Sequence, residues 1–379
     1  MPFQTPSLTP TEARVVDQIV HLRERLRSAT HQAARWTGLL RRSAFARAVQ
    51  ASNTIEGINV TLDDAAAVVA GDDPLDADRD TAEAVRGYRD AMTFALQASR
   101  DPYFRYGVEV LKSMQFMIVR HDLSKHPGRW RPGSVVVRST ASGEVVYEGP
   151  HVDLVPGLMD ELVQGLNARL DAPALIRAAM AHLNLVMIHP FSDGNGRMGR
   201  ALQTLVLARE GILEPEFCSI EEYLGRHTDR YYAVLAAVGQ GAWHPENDAR
   251  PWVQFCLDAH FHQANRLLRR TREYERLSGE ILRLIATYGL PERAFDALFE
   301  AALGWRVRNS TYRQLAGITD NLASRDLRTL SDRGLLVPRG EKRGRFYVAA
   351  EPLIRLRHAV REPRAPETVS LFAQPELPF

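Results

Sequence analysis

Along most of this chain apolar residues recur at steps of three and four. Val16, Ile19, Leu22 and Leu26 form one such stripe, and Leu39, Leu40, Phe45 and Val49 continue it, so Pro10 to Gln50 reads as helical. Further stripes predict helices from Thr81 to Ala98, from Glu109 to His121 through Val110, Met114, Met117 and Ile118, and up to Ile188 through Ile176, Met180, Leu183 and Met187. A helix also follows residue 197 (Met198, Ala201, Leu202, Leu205, Val206), another begins at Asp229, and a long one runs from Trp252 to Leu284 with Phe255, Leu267, Leu268 and Leu277 inward. Strand-like runs are few. Val135, Val136, Val137 and Arg138 face Val145, Val146 and Tyr147 across Thr140-Ala-Ser-Gly143, which predicts a hairpin too small to stand alone. Near the end, helical stretches at 292–303, 311–317 and 321–333 precede two β-rich runs, 335–339 and 345–348, around Gly340-Glu-Lys-Arg-Gly344. The fold class expected is mainly α, with no internal repeat.

Composition narrows this without naming a function. The 379 residues are 45% hydrophobic and 25% charged, ordinary for a globular chain and long enough for two or three domains. A net charge of +2 argues against a global affinity for nucleic acid or membrane, so such binding would need a local patch. Cys218 and Cys256 make neither a metal-ligand spacing nor a disulfide framework, which points to a reducing cytoplasm. No basic start with an apolar stretch, and no window of membrane-spanning length, is visible, so a soluble, unexported protein is expected.

The candidate chemistry lies in residues 189–200, His-Pro-Phe-Ser-Asp-Gly-Asn-Gly-Arg-Met-Gly-Arg. Pro190 disfavours the α region for its predecessor, so His189 is expected at the exit of a packed helix. Gly194, Asn195 and Gly196 accept positive φ and can turn consecutive N–H groups onto one anion, at the N-terminus of the next helix. Arg197 and Arg200 share a face of that helix and suit phosphate oxygens. Asp193 is the carboxylate of the loop, and a hard oxygen ligand beside a polyphosphate is a common way to hold Mg²⁺. Each part alone has an ordinary structural explanation: a helix C-cap, a turn, a solvated basic face. Their concentration in twelve residues favours a site.

That run resembles, without a gap, the signature H-P-F-x-D-G-N-G-R-x-x-R of the Fic family. The resemblance implies a helical Fic bundle with a small β-hairpin flap, and transfer of AMP from ATP to a Ser, Thr or Tyr hydroxyl of a target protein, self included. It implies His189 as general base, Asp193 as the Mg²⁺ ligand, Gly194, Asn195 and Gly196 as the anion nest, and Arg197 and Arg200 on the β- and γ-phosphates. Phe191 would anchor the loop, and Tyr231 and Tyr232 would lie near the adenine. The hairpin residues Val135, Val136, Val137, Val145, Val146 and Tyr147 would pair with the target as an added strand. The signature does not fix which phosphate is attacked, so a Fic phosphotransferase stays open.

Residues 52–57, Ser-Asn-Thr-Ile-Glu-Gly, read by themselves as a capped helix end with Ser52 and Glu56 on one face. They also resemble the family's inhibitory motif in its class II placement, N-terminal to the catalytic domain. Glu56 would then pair with Arg200 and keep ATP from its productive pose. The same residue helps some relatives remove AMP.

The domain reading is residues 1–100 as a helical region carrying that motif, 101–287 as the catalytic core with its closing helix, 288–350 as a second domain, and 351–379 as a flexible tail. The second domain resembles a winged helix, with Ala323-Ser-Arg-Asp-Leu327 as recognition helix. Trp305 to Ala350 holds ten basic and four acidic residues, enough to hold DNA phosphates. A basic winged helix also serves as a protein-contact or homodimer module, and of the two uses DNA is the less favoured. A DNA-binding regulator with a sensory Fic site is the competing function.

Overall fold

The structure is a computed structural model that describes residues 1–31, 34–138, 143–168, 172–211, 215–341, 344–363 and 370–372. It is mainly helical, as the periodicity predicts. Its helices are α1 (Pro10–Thr30), α2 (Arg35–Ile55), α3 (Leu62–Val69), α4 (Arg79–Ala98), α5 (Val108–Val119), α6 (Val155–Asn167), α7 (Ala174–Ile188) and α8 (Asn195–Arg209), then α9 (Glu221–Arg226), α10 (Thr228–Gly239) and α11 (Arg250–Tyr288). The chain continues with α12 (Phe295–Leu303), α13 (Asn309–Ala316), α14 (Asp320–Asp332) and α15 (Glu351–Val360). The strands are β1 (Val136–Arg138), β2 (Val145–Glu148), β3 (Gly241–Ala242), β4 (Leu336–Arg339) and β5 (Phe346–Ala349).

At the centre α7 and α8 form a pair joined by the loop 189–194. From Leu175 to Ile188 every residue of α7 except Arg177 is buried. An all-round apolar helix needs neighbours on every side, and α6, α8 and α11 supply them. The Trp252 indole N–H of α11 donates to the Ala179 carbonyl at 2.7 Å, so the ring's one polar group is satisfied inside the core. At the outer edge α1 starts on a reciprocal cap. Thr9 Oγ1 accepts from the Glu12 N–H at 3.2 Å and Glu12 Oε2 from the Thr9 N–H at 2.8 Å.

The expected hairpin forms, with β1 antiparallel to β2. Its expected turn, Thr140 to Ser142, lies outside the described residues. A feature absent from the sequence reading is β3, which pairs parallel to β2 and makes a sheet of order β1-β2-β3. The hairpin is thereby fixed to the body on one side, while β1 stays an edge strand.

Helices α12, α13 and α14 followed by the β4–β5 hairpin occupy the stretch read as a second domain, and Val307 bridges to Tyr347 as a third pairing partner of that hairpin. The expectation of a tail from residue 351 needs correction. Residues 351–360 are α15, with Leu353 and Val360 buried against α11 and α12. Leu353, Leu356 and Val360 recur at helical steps, a stripe too short to weigh in isolation. Beyond it Glu362 pairs with Arg272 at 2.7 Å and Arg276 at 2.8 Å, and the Leu371 N–H donates to Asp258 Oδ1 at 2.9 Å. The rest of the expected tail lies outside the described residues.

The N-terminal helices do not form a separate body. α2 packs on α9, α3, α4 and α11 and touches α8. Where α2, α9 and α11 meet, the Glu222 carboxylate is buried among Arg270, Arg266 (3.4 Å) and Arg226 (3.3 Å). Burial alone would raise its pKa, but the Arg270 guanidinium and its hydrogen bonds hold the carboxyl well below the usual range. Both cysteines are buried, and no described helix is long and apolar enough to cross a membrane. Replacing Glu222 with Ala strands buried guanidinium charge. It should lower the unfolding free energy by about 3–5 kcal/mol. Denaturant titration checks this, and a loss under about 1 kcal/mol would mean that water reaches the arginines.

Candidate active site

His189 caps α7 in the left-handed region, at φ 49° and ψ 58°, with its N–H still bonded to the Leu185 carbonyl at 3.0 Å. The conformation takes the residue before Pro190 out of the right-handed α region, as expected. His189 Nδ1 lies 3.1 Å from the Val186 carbonyl, which can only accept, so the proton sits on Nδ1 and Nε2 keeps its lone pair. Burial lowers the imidazole pKa below its usual 6.5, against the opposing pull of the Val186 hydrogen bond and the Glu56 charge. A neutral ring with a free Nε2 is a competent base near pH 7.

The loop after it is held by its own side chains. Phe191 is fully buried, with Trp130 at 5.0 Å between ring centroids. Asn195 accepts from the Phe191 N–H at 3.0 Å and donates to the Phe191 carbonyl at 2.9 Å. Its amide therefore braces the loop from both sides of Phe191. Gly194, at φ 81°, turns the chain into α8 where an L side chain would be strained. Asp193 stays partly exposed, with Oδ2 at 3.8 Å from Lys125 Nζ and Oδ1 at 3.7 Å from Arg197.

Arg197 and Arg200 are both buried. Arg200 donates from Nε to Ser52 Oγ at 2.7 Å, and from Nη2 to the Ser52 carbonyl at 3.0 Å and to Glu56 Oε1 at 2.6 Å. Burial works against its charge, but the Glu56 carboxylate outweighs it and the guanidinium is held more firmly protonated than usual. Arg200 Nη1, Arg197 Nε and Arg197 Nη1 are buried without a hydrogen-bond partner in the structure. Glu56 lies directly over Gly196, so close that a Cβ there would collide with its carboxylate oxygen. The carboxylate thus covers the first turn of α8, the place where the N–H groups favour an anion.

Ser52, Glu56, Asp193, Gly194, Asn195, Gly196, Arg197 and Arg200 are therefore brought together around the loop, with His189 at its start. Orphaned donors on two buried arginines and a cradle without Cβ suit a polyphosphate. A partly exposed carboxylate beside them suits a hard cation that keeps most of its waters.

Other expected residues are placed differently. Tyr231 is buried among Trp252, Phe255 and His182, with its hydroxyl 3.0 Å from His182 Nε2. It belongs to the core and presents no open ring face. Tyr232 is 43% exposed and donates to the Ile55 carbonyl at 3.1 Å, so of the pair it is the one with an available ring. In the hairpin Val136, Val145 and Val146 are exposed and Val135 and Val137 half-buried. Tyr147 points inward and donates to the Met187 carbonyl at 2.7 Å, so it anchors the hairpin and has no free face for a target. Strand alternation puts it on the opposite side from its exposed neighbours.

Sequence reasoning missed the supports. Arg131 donates to the His189 carbonyl at 2.9 Å and to the Gly133 and Pro150 carbonyls, and its N–H donates to Pro190 at 2.9 Å. It ties the base of the hairpin to the loop 189–194. Gln115 joins the Asp193 carbonyl (3.0 Å) to the Gly128 N–H (2.6 Å). His182, with its pKa lowered to about 3 by burial, donates to Gln203 at 2.6 Å and abuts Gly199. Behind Arg200, Tyr88 donates to Glu221 at 2.6 Å, whose carboxyl burial pushes up to about 7. Only the cluster of ring and guanidine residues at 126–131 hinted at any of these.

Residues 108–207 match the model of the Fic/DOC family, so the chain carries a Fic domain. It is 39% identical over 120 residues to the protein adenylyltransferase Fic of Aedes aegypti, and 36% identical over 119 residues to that of Culex quinquefasciatus. Each match covers 30% of this chain and 21% of the relative, so the matched segment spans about a fifth of the length of these curated relatives. A Fic family protein from Desulfovibrio desulfuricans shares the fold over 93% of this chain and 98% of its own, with a TM-score of 0.60 at 24% identity. A Fic domain containing signaling protein from Bacteroides thetaiotaomicron does so over 68% of this chain and 96% of its own, at a TM-score of 0.55 and 19% identity.

The His189 ring should titrate below the usual 6.5 when followed by NMR. In Glu56→Gln the midpoint should fall further, because a raising charge is lost while burial stays. A midpoint at or above 6.5 would contradict the placement of this ring.

Proposed function

We propose that the chain is a protein adenylyltransferase that moves AMP from ATP to a hydroxyl of a target protein and holds itself inactive through Glu56. The observation that carries this is the Glu56 carboxylate seated over Gly196 and bonded to buried Arg200, while Arg197 keeps buried donors without partners. This is an anion site with its own carboxylate in it. The similarity of the Fic domain to curated adenylyltransferases supports the choice of reaction.

In the reaction, the target hydroxyl oxygen attacks the α-phosphorus of ATP. The bond from that phosphorus to the bridging oxygen breaks, pyrophosphate leaves, and the hydroxyl proton passes to His189 Nε2. The Val186 carbonyl keeps the ring in the tautomer this requires. The N-terminal N–H groups of α8 and the two guanidiniums hold the phosphates, and positioning with charge neutralisation is most of what such a transfer demands. Asp193 would hold Mg²⁺, which when bound neutralises the phosphates. The edge strand β1, with Val136 exposed, offers the target an added-strand contact.

Glu56 opposes this chemistry by competition for Arg200. A γ-phosphate and a carboxylate want the same guanidinium fork, and the carboxylate is tethered. Removing it leaves Arg200 held by Ser52 and available to the nucleotide.

Intact mass after incubation with ATP and Mg²⁺ tests the reading on the parent, Glu56→Gly and His189→Ala, with and without a protein extract as target. AMP addition should rise about tenfold or more in Glu56→Gly, the factor that each ~1.4 kcal/mol of released competition supplies. It should fall about 10²- to 10⁴-fold in His189→Ala when made in the Glu56→Gly background, the usual range for a lost general base. Addition of a bare phosphate would replace adenylyl transfer with phosphotransfer, and equal rates in parent and Glu56→Gly would remove the inhibitory role.

A further inference from the structure

A groove of about 720 Å³ opens between the C-terminal unit and the acidic segment that precedes α4. One wall is the start of α13, the outer face of α14 and the β4–β5 hairpin. Ser324, Arg328 and Ser331 lie on that face of α14, three or four residues apart. The other wall comes from Asp72 and Asp73.

The segment is seated on the unit by its carboxylates. Ser310 Oγ and Thr311 Oγ1 donate to Asp72 Oδ2 at 2.8 and 2.7 Å, and Arg308 donates to the Asp73 carbonyl. Arg306 pairs with Asp76 at 2.7 Å, and its N–H donates to Asp63 at 2.8 Å. Two hydroxyls and two arginines at the start of a helix that leads into an exposed helix and a hairpin form a set of donors suited to phosphate oxygens. Here each of them is taken by an aspartate oxygen.

Charge points the same way. Within the groove the unit contributes Arg308, Arg313, Arg328 and Arg345 against Asp320 and Asp332, a surplus of two. Asp72 and Asp73 cancel that surplus. Over the whole of Trp305 to Ala350 the basic excess is six, and the segment from Asp72 to Asp80 carries five aspartates. A basic surface faced by a short acidic stretch of the same chain is a polyanion site with an internal competitor.

We propose that the groove and the adjoining start of α13 form a binding surface for the phosphate backbone of duplex DNA, and that residues 72–76, at its edge, act as an intramolecular stand-in for phosphates. In the state described Asp72 holds Ser310 and Thr311, and Asp76 holds Arg306. DNA binds only as the aspartates leave Ser310, Thr311 and Arg306, so the segment sets the affinity, and the sequence read is secondary to backbone charge. The site is independent of the transferase chemistry.

Fluorescence anisotropy of a labelled random-sequence duplex of about 20 base pairs tests this with the full chain at about 50 and about 200 mM salt. Asp72→Ala/Asp76→Ala should bind about tenfold or more tightly than the parent at the lower salt and lose that gain at the higher one. Adding Arg328→Ala/Arg345→Ala should return binding to the parent level. Equal melting temperatures establish that the variants are folded. The proposal is overturned if the double aspartate variant binds no more tightly than the parent. It is equally overturned if the arginine changes leave the gain intact, or if the freed face makes a second copy of the chain associate while DNA does not bind.

Discussion

A guanidinium with no exposure to water has to be given a counter-charge, and Arg200 is the group around which this molecule meets that demand. Its side chain lies inside the junction of α2 and α8, where Ser52 takes two of its donors and Glu56 a third. Hydration lost by a buried ion is recovered only through close, well-directed partners. Whatever binds at this place must therefore carry negative charge, and the chain supplies some of its own. The pairing of an arginine of α8 with a carboxylate at the end of α2, far away in sequence, makes the resting site and the proposed inhibition one physical fact.

The loop between α7 and α8 owes its shape to side-chain bonds onto its backbone. Asn195 bonds both backbone groups of Phe191, Gln115 spans the Asp193 carbonyl and the Gly128 N–H, and Arg131 collects carbonyls from His189, Gly133 and Pro150. Carbonyls at a helix exit cannot be left unpaired inside a protein. Arg131 satisfies them with one planar fork, and so fixes the hairpin to the loop that starts at His189. Tyr147 adds a second tie through the Met187 carbonyl. The hairpin and the loop after α7 are consequently tied to each other at two places.

Helices α2 and α3 are shared between the site and the C-terminal unit. Arg42 pairs with Glu300, and Arg35 pairs with Asp296 at 2.8 Å and lies over the Phe295 ring at 5.0 Å. The same α2 ends at Ile55, beside Glu56, and α3 leads into the acidic segment that rests on α13. Packed interiors transmit displacement because they have little room to deform. Glu56 at the end of α2 and the acidic segment after α3 thus follow two helices that pack on each other.

The sequence by itself determined the local elements and the make-up of the loop. Helical spacing located α7, α8 and most of α11, and the order of His189, Asp193, Gly194, Gly196, Arg197 and Arg200 already contained a base, a carboxylate, a nest and two cations. These are short-range properties, set by the period of the backbone and by residue type. The tertiary structure decided what depends on distance in space. It showed that Glu56 covers Gly196, that Tyr231 and Tyr147 turn inward, and that Arg131 holds the loop. It placed β3 beside β2, made 351–360 a helix on α11 and α12, and seated Asp72 on Ser310 and Thr311. Periodicity tells which side of a helix is apolar but not which partner meets it. Burial, hydrogen-bond geometry and charge pairing between residues a hundred or more apart arise only when the chain is closed on itself.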